Sequence, residues 1–82
     1  MRLLKFYADW CQPCKMLSKT LEGMTIPYVV EEVNIDNDVD TAMNYGVRGV
    51  PTMILLDDNN AEVTRVVGYL NENQLKDKLG LN

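Results

Sequence analysis

The spacing of apolar and polar positions divides the chain into segments typical of strands and helices. The run from Leu3 to Ala8 is apolar or aromatic except at Lys5, which predicts a buried central strand. From Pro13 the apolar spacing becomes three or four residues, which predicts a helix ending near Gly23. The apolar face of that helix carries Cys14, Leu17, Leu21 and Met24.

The middle of the chain predicts a second strand and a short helix. Residues 28–35 are rich in β-branched side chains, which favours a strand. Because a helix separates it from the first strand, we expect the two strands to run parallel. Asp38 is a plausible N-cap for a short helix that Gly46 closes.

The last part of the chain predicts a hairpin and a helix. Residues 52–56 and 62–67 are typical of strands, and the four Asp and Asn residues between them favour a tight antiparallel turn. Asn71 as N-cap and Gln74 three residues later resemble a capping box, and Gly80 can end the helix. We also expect Met16 and Met43 to be core fillers, and Met53 lies within an apolar strand.

This order of elements, β-α-β-α-β-β-α, predicts one α/β domain over residues 1–82. Its architecture would be a sandwich in which three helices flank a mixed four-stranded sheet. At 82 residues the chain is near the lower limit for independent folding, so all apolar segments should share one core.

Composition narrows the classes of partner. The net charge is -4, which argues against nucleic acid or anionic lipid. No apolar run approaches the roughly 20 residues of a membrane helix, and residues 1–6 lack the pattern of a secretory signal. We therefore expect a cytoplasmic protein with no membrane partner.

The chain has two cysteines, Cys11 and Cys14, and their spacing indicates a chemical rather than a structural role. A bridge across so short a loop would constrain the unfolded chain very little, so a structural staple is the poorer interpretation. A Cys-x-x-Cys pair is found in redox sites, and it can also supply half of the ligands of a metal site. Because the chain has no histidine, a zinc or iron–sulfur site would need a second copy of the chain. We expect no bound metal.

Three segments in the correct order resemble the thioredoxin family. Phe-Tyr-Ala-Asp-Trp-Cys-Gln-Pro-Cys-Lys-Met at residues 6–16 resembles the family's active-site stretch between a strand and a helix. Tyr-Gly-Val-Arg-Gly-Val-Pro-Thr at residues 45–52 resembles its cis-proline segment. Val-Gly-Tyr-Leu at residues 67–70 resembles the glycine turn after its last strand. The resemblance extends over most of the chain.

The resemblance implies a thioredoxin-like fold and a general protein disulfide reductase, with no cofactor besides the redox-active Cys11–Cys14 disulfide. Cys11 would be the nucleophile, since a helix N-terminus lowers a thiol pKa, and Cys14 the buried resolving thiol. Gln12 and Pro13 would support them. We expect the substrate to contact Trp10, Gly49, Val50, Pro51 and Gly68, with Pro51 in a cis peptide bond and the Val50 backbone pairing with an extended segment.

Two departures from the family pattern are visible. Only ten residues precede Cys11, so we expect the family's usual first strand and helix to be lacking, as in short phage and archaeal relatives. Gln12 replaces a glycine, which we expect to alter the redox potential rather than the fold. Strong oxidants of the family place histidine between their cysteines. The absence of histidine here favours a reductant.

A third departure concerns the acid that the family buries behind its cysteines. That position holds Lys5, and the position of its usual lysine partner holds Glu32, so the pair is charge-reversed. Either Lys5 extends to water and Glu32 lies on the surface, or the two form a semi-buried pair in which Glu32 accepts the Cys14 proton.

The resemblance also suggests partners. We expect a monomer that acts on disulfide-containing proteins, with ribonucleotide reductase as a family-level candidate. Electrons would come from a thioredoxin reductase or from glutathione, in the host cytoplasm if a phage encodes the chain. Two alternatives stay open at this point: a glutaredoxin-like, glutathione-dependent reductase, and a non-catalytic binding module of a larger complex.

Overall fold

The computed structural model describes residues 1–81, so Asn82, the last residue of the predicted domain, lies outside the described residues. Strands and helices follow one another in the predicted order. They are β1 (Arg2–Tyr7), α1 (Gln12–Glu22), β2 (Val29–Asn34), α2 (Val39–Asn44), β3 (Thr52–Leu56), β4 (Glu62–Val67) and α3 (Glu72–Leu79).

The four strands form one mixed sheet in the order β2-β1-β3-β4. Strands β1 and β2 are parallel, whereas β3 pairs antiparallel with both β1 and β4. The two central strands are almost entirely buried, and the two edge strands are largely exposed. The predicted parallel pairing and the predicted hairpin are both confirmed.

The helices cover the two faces of this sheet. On one face, Leu17 of α1 and Leu75 of α3 pack with Leu3 and Met53 of the central strands. On the other face, Ala42 of α2 packs in a cluster with Leu4, Phe6, Ile54 and Leu56. Since successive side chains of a strand point to opposite faces, Lys5 lies on the same face as Leu3, beneath α1.

The predicted ends of helices α2 and α3 have the expected chemistry. The Asp38 carboxylate accepts the Thr41 backbone N–H at 3.2 Å at the start of α2. Asn71 and Gln74 form a complete capping box at the start of α3, with bonds of 2.9 and 3.0 Å. Gly80 ends α3 at a φ of 69°, a left-handed conformation that glycine adopts without a steric penalty.

The prediction that Met16 and Met43 fill the core is wrong, whereas Met53 is buried. The buried residues of α1 are Cys14 and Leu17, and the intervening Met16 points to the opposite side of the helix and is 53% exposed. In the short α2 the small Ala42 makes the contact with the sheet, so its neighbour Met43 is exposed.

Candidate active site

The two cysteines lie where β1 passes into α1 and are joined in a disulfide with a Cα–Cα distance of 5.2 Å. Cys11 is the N-cap residue of α1, and its Sγ accepts the backbone N–H of Cys14 at 3.1 Å. Gln12 and Pro13 form the exposed first turn, where proline is tolerated because its missing N–H would have no helical partner. The sequence thus places one sulfur at the positive end of a helix.

Apolar side chains surround the disulfide. Cys11 and Cys14 are only 4% and 3% exposed, and they cluster with the buried Ala8. Ile35, which follows β2, and Val50, which lies in the segment before β3, pack against the cluster. Exposure therefore does not distinguish the two cysteines, but their positions at the helix start do.

The proline segment and the glycine turn meet beside the cysteines. The Val50–Pro51 peptide bond is cis. The Gly68 backbone N–H donates to the Pro51 carbonyl at 2.8 Å, and the Thr52 hydroxyl donates to the Gly49 carbonyl at 2.8 Å. The first bond joins the two predicted substrate segments, and the second lies within the proline segment, where Gly49 is exposed.

Trp10 presents an open aromatic surface next to the disulfide. It is 67% exposed, and its Nε1 donates to the Asp36 carboxylate at 3.0 Å. Sequence reasoning missed Asp36. The signal was present, because Asp36 follows β2 as Trp10 follows β1, and the carboxyl ends of parallel strands meet at one edge of a sheet.

Lys5 and Glu32 are register partners on β1 and β2. Lys5 is 4% exposed, and its Nζ lies 3.1 Å from Glu32 Oε1, whereas the Glu32 side chain is 59% exposed. The Lys5 amine also donates to the Ser18 hydroxyl of α1. The structure therefore places the charged end of Lys5 between two polar partners rather than in water.

A surface groove of about 480 Å³ connects this charged pair with the disulfide. Lys5, Cys14, Ser18 and Glu32 all line it. Sequence reasoning missed Ser18, although its position four residues after Cys14 places both on one side of α1. The groove gives solvent a route to Cys14.

Over residues 1–81, no group of three or more His, Cys, Asp or Glu side chains is arranged to hold a metal ion. In the same range, none of the helices has the length and apolar character needed to cross a membrane.

Comparison with known proteins gives consistent matches. A family model described as Thioredoxin matches residues 1–80. Thioredoxin of Pseudomonas aeruginosa is 42% identical over 84 residues, covering 98% of this chain and 77% of that protein. An SPbeta prophage-derived thioredoxin-like protein of Bacillus subtilis is 44% identical over 69 residues, covering 84% of both. A solved mutant thioredoxin from Halobacterium salinarum has a TM-score of 0.83 at 43% identity, covering 92% of this chain and 67% of that chain.

These matches agree with the geometry of the site. The four-stranded mixed sheet, the cysteine pair at disulfide distance and the neighbouring cis-proline occur together in one chain. Thioredoxins need no cofactor beyond their redox-active disulfide, and they act on disulfide substrates together with a thioredoxin reductase. The chain belongs to the thioredoxin family and is a thiol–disulfide oxidoreductase with protein disulfide reductase activity.

Proposed function

We propose that Cys11 is the nucleophile and Cys14 the resolving thiol of this reductase. The observation that supports this assignment is the bond from the Cys14 backbone N–H to Cys11 Sγ at 3.1 Å. A backbone N–H and the positive end of α1 both stabilise negative charge on that sulfur in the reduced protein. Cys14 lies within the first turn, on the buried side of the helix.

The reaction then proceeds by two exchanges. The Cys11 thiolate attacks a substrate disulfide, forms the Cys11–substrate bond and releases one substrate sulfur as a thiolate. Cys14 loses its proton and attacks Cys11 Sγ, which forms the Cys11–Cys14 disulfide and releases the second substrate sulfur. Two electrons pass to the substrate, whose two sulfurs end as thiols after taking up two protons.

The substrate surface consists of Trp10, Gly49, Val50, Pro51 and Gly68. The exposure of Trp10 and the bond that joins Gly68 to Pro51 support this assignment. An extended substrate segment can form strand-like hydrogen bonds with the Val50 backbone while its disulfide faces Cys11. Specificity would then come from side chains around the substrate disulfide.

Lys5 and Glu32 support the second exchange. Both line the groove that reaches Cys14, and Glu32 is exposed enough to return a proton to solvent. Glu32 accepts the Cys14 proton through the groove, and the nearby ammonium of Lys5 favours the Cys14 thiolate. Gln12 and Pro13 fix the first turn that carries both cysteines.

The chain acts as a monomeric, single-domain electron carrier in the cytoplasm, reduced by a thioredoxin reductase. Ribonucleotide reductase is one candidate substrate. No residue between the cysteines is a histidine, which favours a reductant over an oxidant. Electrons pass favourably only to a disulfide whose potential is higher than that of the donor pair, so we expect a potential near the roughly -270 mV of thioredoxin.

Two measurements test this proposal. Equilibration with glutathione buffers gives the potential, and a value near the roughly -120 mV of strong oxidants would exclude the reductase direction. Coupled assays then compare electron supply from NADPH and thioredoxin reductase with supply from glutathione. Faster turnover with glutathione would assign the chain to glutaredoxin-like chemistry, and retained biological activity with serine at both cysteines would indicate a binding module.

A further inference from the structure

Ser18 makes a contact that the reaction described above does not use. Its hydroxyl accepts a hydrogen bond from the Lys5 amine, which Glu32 contacts from β2. Lys5 is thus held by one partner on the helix that carries Cys14 and by another on the edge strand. A lysine side chain has many rotamers, so the number and direction of its partners decide where its charge lies.

The position of Ser18 on α1 determines towards which element the Lys5 ammonium is drawn. Residues four apart on a helix are neighbours, with Cβ atoms about 5–6 Å apart, so Ser18 lies one turn after Cys14. Both line the same groove as Lys5. The bond to Ser18 therefore brings the ammonium towards α1, and Glu32 alone would draw it towards β2 and the solvent.

We propose that Ser18 is a positioning residue that holds the Lys5 ammonium on the α1 side of the groove that Cys14 also lines, where its charge stabilises the Cys14 thiolate during the second exchange. This inference rests on the proposed role of Cys14 as the resolving thiol. An opposite charge within about 4–6 Å favours the ionised form of a group, so a small displacement of the ammonium changes the thiolate population. Ser18 itself neither gives nor takes the proton.

Other charged and titratable groups also line the groove. Their electrostatic effect on Cys14 does not depend on Ser18. From the end of β1 these are Tyr7 and Asp9, and from α1 they are Lys15, Lys19 and Glu22. Because substitution of Ser18 alters none of these charges, a change in Cys14 titration in that variant reports the position of Lys5.

The test is the titration of Cys14 in reduced protein in which Cys11 is replaced by serine, followed by thiolate absorbance. Ser18→Ala should raise the Cys14 pKa by about half a unit or more, which lowers the thiolate fraction near neutral pH about threefold. With both cysteines present, Ser18→Ala should slow the second exchange by a similar factor near neutral pH. The rate should recover at higher pH, where the thiol ionises without help.

Two further variants separate positioning from a structural role. Ser18→Thr keeps the hydroxyl and should restore the parent titration. Thr20→Ala removes another hydroxyl of α1, whose Oγ1 lies 3.2 Å from the Tyr69 hydroxyl, and should leave Cys14 unchanged. Urea unfolding of each variant reports stability separately.

Coupling to Lys5 completes the test. Lys5→Met preserves volume in the core, and in that background Ser18→Ala should have no further effect on Cys14. The proposal is overturned if Ser18→Ala shifts Cys14 no more than Thr20→Ala does, or shifts it equally when Lys5 is methionine. If Lys5→Met does not fold, the comparison of alanine and threonine at position 18 decides. Absence of reductase activity in the parent itself would contradict the proposed function instead.

Discussion

A buried ammonium is stable only with polar or charged partners, since burial penalises its charged form. Lys5 meets this requirement through Ser18 and Glu32, one on each neighbouring element. The Glu32 side chain is more than half exposed, so forming the pair desolvates its carboxylate only in part. The arrangement combines a fixed positive charge with an acid that exchanges protons with water.

Glu32→Gln tests the proton-acceptor role at the scale of one residue. The amide cannot take a proton, so the second exchange should slow several-fold and its pH profile should change. Glu31→Gln is the matched control, since Glu31 neighbours Glu32 on β2 but pairs with Arg2 at 2.9 Å. Rapid-quench kinetics between acid and neutral pH give both profiles. Identical rates and profiles for Glu32→Gln and the parent would refute the role.

Single replacements of the cysteines test which sulfur attacks. Cys14→Ser keeps the sulfur at the N-cap and should accumulate a stable mixed disulfide with substrate, because nothing resolves it. Cys11→Ser should form far less of this adduct, since the remaining sulfur lacks the N-cap position and the backbone N–H that stabilise a thiolate at position 11. Mass spectrometry after reaction with a disulfide substrate measures both, and the reverse ranking would reassign the nucleophile.

At the scale of elements, α3 could be predicted from the sequence because the signals at its two ends are local. An N-cap, a capping box and a left-handed glycine are all interactions within a few residues, and each is present as predicted. The ends of β1 and β2 moved by one residue, because pairing between strands decides where a strand ends. The prediction that Met16 and Met43 fill the core was wrong, because residue type does not say which helix face meets the sheet.

The N-cap of α3 should contribute measurably to stability. Asn71→Ala removes the acceptor for the Gln74 backbone N–H, a bond of 2.9 Å, and should cost about 1 kcal/mol in the free energy of unfolding. Asn71→Asp keeps an acceptor at the same place and should lose much less. Urea denaturation at neutral pH measures both. Equal losses for alanine and aspartate would show that the cap bond contributes little.

At the scale of the whole molecule, the topology brings distant sequence motifs together at one edge of the sheet. The cysteines follow β1, Asp36 follows β2, Pro51 precedes β3 and Gly68 follows β4. Motif recognition was enough to predict that Cys11, Pro51 and Gly68 lie near one another. The bonds from Trp10 to Asp36 and from Lys5 to Ser18 depend on packing between elements, which the linear pattern does not contain.

Acid should destabilise the whole fold in part through Glu62 on the edge strand β4. The hydrogen bond from Arg65 lowers the Glu62 pKa below its ordinary value of 4.5, so this pair stabilises the folded chain above that pH. Its contribution is lost as pH falls through the lower, folded-state pKa. Because the Glu62 side chain is 42% exposed, solvent screening keeps the effect below about 1 kcal/mol.

Urea unfolding from about pH 6 to about pH 3 should show a shallower loss of stability for Glu62→Gln than for the parent. High salt should reduce that difference, and parallel curves in low salt would contradict the contribution of the pair.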